Sequence, residues 1–236
     1  MGDLCFGKAF EMLEHEKNRH VIDLLANATH MHLILGTKPS MKTLGLNKIL
    51  FGKIYRRRMQ YMAYSKVQAA ERTQLGLDTD RKDFFYHLLN ARDPQTGKGF
   101  TASELWGESN LLIIAGSDTT SSALASAFFY LVHNPATLEQ LTAEVTSESV
   151  ALAQSAFCPF SVGPRGCIGK GLAYAELMTT LARVVFMYDM KLAEGTSAGE
   201  GRPEWEWGRQ RREEYQLRDT FTSLKDGPYV KFRARA

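Results

Sequence analysis

At 236 residues, 44% of them hydrophobic, the chain can bury a substantial core as one large domain or two small ones. Its 29 basic and 26 acidic residues leave a formal net charge of +3, so bulk electrostatics give no case for nucleic acid as a partner. Cys5, Cys158 and Cys167 are too few and too unevenly placed for a disulfide framework, and no signal-peptide pattern opens the chain, so free thiols in a reducing compartment are expected, with a Cys158–Cys167 pair the formal alternative.

In chain order, residues 1–35 show helical spacing, and 36–47 read as a loop broken by Gly36, Pro39 and Gly45. Lys48 to Ala70 resumes helix; its basic run Lys53, Arg56, Arg57 and Arg58 reads first as a solvated face and second as a contact for phosphates or an acidic partner. Asp83 to Ala91 is a short helix ended by the turn-rich RDPQTGKG. Thr101 followed by Glu104 is a capping box that starts the next helix, and from Ser103 the pattern runs on for some thirty residues until His133-Asn134-Pro135 stops it. Within that helix Leu111 to Val132 is apolar enough to suggest a membrane span. The block from Ser117 to Ser122, with Asp118 in its midst, favours a buried core helix instead.

Ala136 to Val145 is another short helix. Cys158 to Gly169 is dense in Gly and Pro and must be irregular, whereas Lys170 to Tyr188 is strongly helical, so Cys167 lies just ahead of a helix. After Gly195 the chain is Gly-rich and then charged, with Glu214 to Leu217 and Tyr229 to Phe232 as candidate strands. His30 and His32 are two apart on a helix and point to different faces, and no Cys-x-x-Cys occurs, so zinc is a weak alternative.

A thiolate ahead of a helix N-terminus is stabilised as the anion, the form that ligates metal. Gly163, Gly166 and Gly169 allow positive-φ turns that can bring N–H groups round the sulfur. Taken alone, Cys167 reads better as a small buried hydrophobe in a Gly-rich turn. The string FSVGPRGCIG decides between the two: it resembles the heme-binding loop of cytochromes P-450, Phe-x-x-Gly-x-Arg-x-Cys-x-Gly, with Phe160, Gly163, Arg165, Cys167 and Gly169 matching. Five matches at some two hundred starts arise by chance on the order of once in ten thousand.

The resemblance implies that Cys167 is the thiolate ligand of heme iron, that Arg165 pairs with a heme propionate, and that Phe160 packs beside the sulfur. AGSDTT, from Ala115 to Thr120, resembles the family's oxygen-activating motif, which makes Asp118 and Thr119 the acid–alcohol pair that relays protons and Gly116 the low point against which the macrocycle lies. Hydroxyls of Thr119 or Thr120 can bond back to helix carbonyls and open a groove. Outside the family the same segment reads as a break in an ordinary helix or a packing stripe of small residues. MGDLCFGKAFEML at the start, the segments flanking both motifs, and EYQLRDTFTSLKDGPYVKF at the end also resemble fungal members, in which the loop around Thr220 to Thr222 approaches substrate.

Two departures stand out. The family has a Glu-x-x-Arg helix between the two motifs, but no arginine occurs here between Arg92 and Arg165, and Glu16 to Arg19 and Glu206 to Arg209 lie outside that interval. The seam of an internal deletion falls near residues 144–147, and the start of the chain looks internal to the family. The expected fold is therefore mainly α: an incomplete P-450-like helical domain over 1–236, with 1–145 carrying the helices up to and past the oxygen-activating helix, 146–194 the cysteine loop and following helix, and 195–236 a β-like tail.

The function implied is a heme b monooxygenase that inserts one oxygen atom from O2 into a lipophilic small molecule, as in fungal secondary metabolism, with electrons from NADPH-cytochrome P-450 reductase. Of the pocket residues that remain, Ile114 and Phe221 indicate only an apolar lining. No nucleic acid is implied. The family sits on the endoplasmic-reticulum membrane; without an N-terminal anchor the expectation for this chain is cytoplasmic or peripheral to a membrane. A non-catalytic, truncated family member with weak or no heme binding is the alternative.

Overall fold

A computed structural model describes residues 1–77, 82–142, 159–161 and 163–235. The expected seam at 144–147 and Cys158 lie outside these described residues. In chain order the elements are α1 (Gly2–Phe6), α2 (His20–Thr37), α3 (Ser40–Thr43), α4 (Leu46–Leu50), α5 (Gly52–Gln74), α6 (Phe84–Asn90), α7 (Ala102–His133), α8 (Pro135–Thr142), a 3-10 turn (Gly163–Arg165), α9 (Lys170–Met187), β1 (Tyr188–Leu192), β2 (Arg218–Asp219), β3 (Ser223–Leu224) and β4 (Val230–Ala234). The fold is mainly helical, as expected, and the chain divides into two compact units.

The first unit holds Met1–Thr119 and Asp219–Leu224. Its α2 and α5 pack against one another, and Cys5, Phe6, Val21, Ala28, Tyr61, Ala69, Phe85, Leu105 and Ile113 form the buried cluster. The side chains that meet between α5 and α7 are small: Ser65 and Ser109 are fully buried, with their hydroxyls 3.2 Å apart and Ser109 Oγ donating to the Ser65 carbonyl at 3.0 Å. Without bulk between them the two backbones approach closely, and each hydroxyl has a partner away from water. Burial raises the Tyr61 phenol far above its usual range, and its hydroxyl donates to the Asn110 carbonyl.

A buried fork joins α5 to α6. Arg72 Nε and Nη2 donate to the two carboxylate oxygens of Asp83 at 2.6 and 3.0 Å, while Asp83 Oδ1 also accepts the Tyr86 N–H at 2.7 Å and so caps α6. One carboxylate thus pairs a charge and starts a helix. The capping box is formed as expected: Thr101 N–H donates to Glu104 Oε2 at 2.7 Å and Glu104 N–H to Thr101 Oγ1 at 3.3 Å.

The second unit holds Thr120–Arg218 and the chain from Lys225 onward. Antiparallel β1 and β4 run in register from Tyr188 opposite Ala234 to Leu192 opposite Val230. The irregular segment between β1 and β2 is held by Glu200, which is buried, accepts from Arg212 Nε at 2.7 Å and lies 3.1 Å from His133 Nε2. The His133 ring stacks on Phe129, which stacks in turn on Tyr215.

Three expectations are corrected. The 36–47 segment is not a plain loop: α2 continues through Gly36, Ser40–Thr43 makes a helical turn, and only Gly45, at φ 68°, takes the left-handed turn that breaks the path. Glu214 to Leu217 is not a strand. Tyr215 and Gln216 are both buried, which strand alternation does not allow, and Gln216 N–H is used by the Gly199 carbonyl. Finally, α7 is not a buried core helix. It is long and apolar enough to cross a membrane, yet only 11% of its most apolar window is buried. In the first unit burial follows Leu105, Ser109 and Ile113 at four-residue spacing, the signature of a helix partnered along one stripe.

Candidate functional site

The cysteine loop belongs to the second unit. It is drawn together by three backbone bonds: Cys167 N–H to the Phe160 carbonyl at 2.9 Å, Gly166 N–H to the Gly163 carbonyl at 2.9 Å, and Lys170 N–H to the Cys167 carbonyl at 3.3 Å. Gly163 sits at φ 70°, a conformation that only glycine takes without strain, and it opens the 3-10 turn on which Arg165 is exposed. Gly169 is the N-cap of α9, so Cys167 stands two residues ahead of a helix N-terminus. The N–H groups of Gly166, Cys167 and Lys170 go to carbonyls rather than round the sulfur, which leaves the helix end as the favourable dipole behind it.

Phe160 contributes through both of its parts. Its carbonyl takes the Cys167 N–H, while its ring lies 5.1 Å from that of Tyr174 on α9 and so pins the loop to the helix. Cys167 is a free, exposed thiol, and the apolar side chain of Ile168 next to it is 105% exposed. A Cβ placed on Gly163 or Gly171 would meet nothing within 4 Å. A free soft ligand at a helix head, an exposed guanidinium two residues away and an uncovered apolar neighbour are the donor set and the open face that a flat, propionate-bearing iron macrocycle needs, so the residues present fit heme.

The acid–alcohol pair belongs to the first unit. Thr119 Oγ1 donates to the Ala115 carbonyl at 2.6 Å, the back-bond expected of a threonine within a helix. Asp118 accepts a hydrogen bond from the hydroxyl of Thr222, which lies in the turn between β2 and β3. In the same turn Phe221 N–H donates to the Thr29 carbonyl at 3.3 Å and the Phe221 ring lies 5.9 Å from His32 of α2. His32 Nδ1 lies 2.8 Å from the Ala28 carbonyl, which fixes the proton on Nδ1; burial, helped by the nearby Arg58 guanidinium, lowers its pKa and keeps the ring neutral. A Cβ on Gly116 would come within 2.1 Å of the terminal methyl of Met1, the far end of a flexible side chain. Of the two apolar pocket candidates, Ile114 is buried and Phe221 is exposed.

Thr222 as the partner of Asp118 and His32 as the neighbour of Phe221 were not legible from motif matching. The only available signal was that the Thr220 to Thr222 segment resembles a family loop that approaches substrate. The two stray Glu-x-x-Arg matches are i,i+3 pairs, Glu16–Arg19 at 4.0 Å with both groups exposed and Glu206–Arg209 at 3.6 Å with Arg209 half-buried.

Comparison with known proteins places the chain in a family. The family model for Cytochrome P450 matches the chain in two stretches, residues 1–151 and 146–201. A cytochrome P450 monooxygenase of Gibberella zeae is 31% identical over 323 residues, covering all of this chain and 75% of the relative. The cytochrome P450 monooxygenases apf7 of Gibberella fujikuroi and AKT7 of Alternaria alternata are each 27% identical, with 62% and 63% of their lengths covered. An alignment of 323 positions over a 236-residue chain leaves at least 87 positions of the Gibberella zeae relative without a counterpart. Among solved structures, the heme domain of cytochrome P450DA superposes with a TM-score of 0.70 at 16% identity, covering all of this chain and 65% of that one, a likeness of fold. With its cysteine loop, its acid–alcohol helix and matches from end to end, this chain belongs to the cytochrome P450 family.

Proposed function

We propose that the chain carries the site elements of a heme-thiolate monooxygenase acting on a lipophilic small molecule, within one partial P450-like domain. The observation that supports this most directly is the free, exposed Cys167 at the head of α9 inside the complete Phe-x-x-Gly-x-Arg-x-Cys-x-Gly string. Cys167 would ligate iron as the thiolate, Arg165 would pair with a propionate, Gly163 would hold the turn that presents the sulfur, and Gly169 would let α9 begin behind it. Heme b, when bound, supplies activation of O2 for insertion of one oxygen atom into a C–H bond, with electrons from an NADPH-dependent reductase.

The chain's own part in proton supply falls to α7. With its proton donated to the Ala115 carbonyl, Thr119 Oγ1 offers its lone pairs to a proton donor, and the Asp118 carboxylate, oriented by Thr222, is the adjacent group that holds and passes a proton. Gly116 keeps that helix surface low. Secondary metabolism is the setting suggested by the fungal relatives.

A second reading, a family member without catalytic competence, draws on the 87 or more unmatched positions and on the absence of any Glu-x-x-Arg between the two motifs. The two are separated by the ferrous carbon monoxide difference spectrum of purified, heme-supplemented protein beside a Cys167→Ser control. A red-shifted Soret band lost in the control supports the monooxygenase reading. No heme uptake, or a band indifferent to the substitution, leaves the non-catalytic one.

A further inference from the structure

We propose that Arg58 is an anchor for a carboxylate, so that the lipophilic molecule taken by the first unit is an organic acid. This rests on the reading above that the chain takes a lipophilic small molecule, and adds the polar group that molecule carries. Every residue concerned belongs to the first unit.

Arg58, Tyr61, Ser65, Gln68 and Arg72 recur along α5 at alternating three- and four-residue steps, the spacing that keeps side chains on one helix face. Tyr61, Ser65, Gln68 and Arg72 are buried, and Arg58, at the N-terminal end of the stripe, is half-buried. The stripe thus carries a guanidinium at each end, and the fold treats the two differently. Arg72 is met by both carboxylate oxygens of Asp83. Arg58 Nε is buried with no hydrogen-bond partner among the described residues. No local acid supplies one: residues 24–70 contain neither aspartate nor glutamate, Glu71 of α5 pairs with Lys8, and Asp118 is engaged by Thr222. Burial opposes the Arg58 charge and lowers its pKa, but a guanidinium keeps its proton near neutral pH, so the cation stays and calls for an anion.

The surroundings suit the acid of a lipophilic molecule. Arg58 is close enough to His32 of α2 for its charge to help lower the imidazole pKa, and the His32 ring lies 5.9 Å from that of Phe221. Phe221 is exposed, while Thr220 beside it in the β2–β3 turn is buried with its hydroxyl unpartnered among the described residues. One cation, a neutral imidazole, an open apolar ring and a spare hydroxyl therefore belong to one neighbourhood. Because His32 is neutral, a single positive charge is to be matched, which fits a carboxylate better than a phosphate dianion. The planar guanidinium receives a carboxylate through two parallel hydrogen bonds, and the apolar body of the acid has Phe221 to lie against. An alcohol or amide of the same shape leaves the charge unmatched, so the site discriminates by charge compensation.

The test is isothermal titration calorimetry of the full chain at neutral pH with two matched pairs, 4-phenylbutanoate against 4-phenylbutanamide and octanoate against octanamide. The acid should bind about tenfold more tightly than its amide. Arg58→Gln should weaken the acid by about the same factor and leave the amide unchanged, while Arg58→Lys, which keeps the charge without the fork, recovers only part of the preference. Lys42→Gln/Lys53→Gln, which removes two exposed charges from the same unit, should leave it intact. Equal affinity for acid and amide, no binding of either pair, a preference that survives Arg58→Gln, or one that disappears in the lysine variant overturns the proposal. The acid–amide comparison uses the unaltered chain and decides even where a variant fails to fold. A Cys167-dependent Soret band without acid preference refutes the anchor alone, and an acid preference without that band refutes the monooxygenase reading alone.

Discussion

The hydroxyl of Thr222 donates a hydrogen bond to the carboxylate of Asp118, joining residues 104 positions apart. One is the acid of the AGSDTT segment that resembles the family's oxygen-activating motif; the other belongs to a turn held on α2 through Thr29 and His32. The orientation of the acid therefore depends on the C-terminal segment as well as on its own helix. Thr222→Val should lower unfolding stability by about 1.5 kcal/mol, the low end for a hydrogen bond to a charged group because the site is half-buried. Thr222→Ser should restore it. In heme-loaded protein the valine variant should divert a larger share of reductant away from product, measured as product formed per NADPH consumed, and the serine variant should not.

The Arg72–Asp83 fork is buried at both ends. Breaking a buried pair by removing one partner costs about 3–5 kcal/mol, because the other charge is left uncompensated. Asp83→Ala also removes the α6 cap, so it should fall at the upper end of that range in urea unfolding, with Arg72→Met below it. Equal, small effects from both substitutions would show that the fork carries little of the first unit's stability.

Glu200 links the end of α7 to the Arg212 segment. Burial opposes ionisation of its carboxyl, but the hydrogen bonds and charges of Arg212 and His133 outweigh it and hold the pKa below the usual value. A carboxyl lowered on folding stabilises the folded state fully above its unfolded pKa, near ~4.3, and that contribution disappears as pH falls through the lower folded value. Wild type should therefore lose urea stability more steeply than Glu200→Gln as pH falls from about 4.5 to 3. Parallel curves for the two proteins would rule out this linkage.

Gly163 holds φ 70° at the turn that presents Cys167. Gly163→Ala has room for its methyl group but places an L-residue in the left-handed region, at a cost of about 1 kcal/mol. Heme titration should show several-fold weaker uptake, while melting of the apoprotein moves by only a few degrees. Unchanged uptake would mean that the loop does not present the ligand in its described form.

Much of the fold could be read locally. The Thr101/Glu104 capping box, the Asp83 cap and the stop at Asn134-Pro135 are interactions within four residues of one another, so residue order alone decides them. The ten-residue string from Phe160 to Gly169, with its five matching positions, likewise identified the family, because a turn followed by a helix start is a local construction. Non-local facts escaped. Strand β1 begins directly where α9 ends and exists because Val230–Ala234 lies beside it, a pairing no local pattern announces. Tyr215 and Gln216 looked like part of a strand but are buried by Tyr130, Phe129 and Gly199.

By itself, then, the order of residues determined the family, the helical class, the starts of α6, α7 and α9 and the identity of the thiolate candidate, since each rests on short-range geometry and on side-chain chemistry present at one place in the chain. Only the tertiary structure decided that Asp118 is held by Thr222 and that the first-unit part of α7 is buried along a stripe rather than all round. These depend on which distant segments meet, and burial and partnership are properties of the meeting rather than of either segment alone.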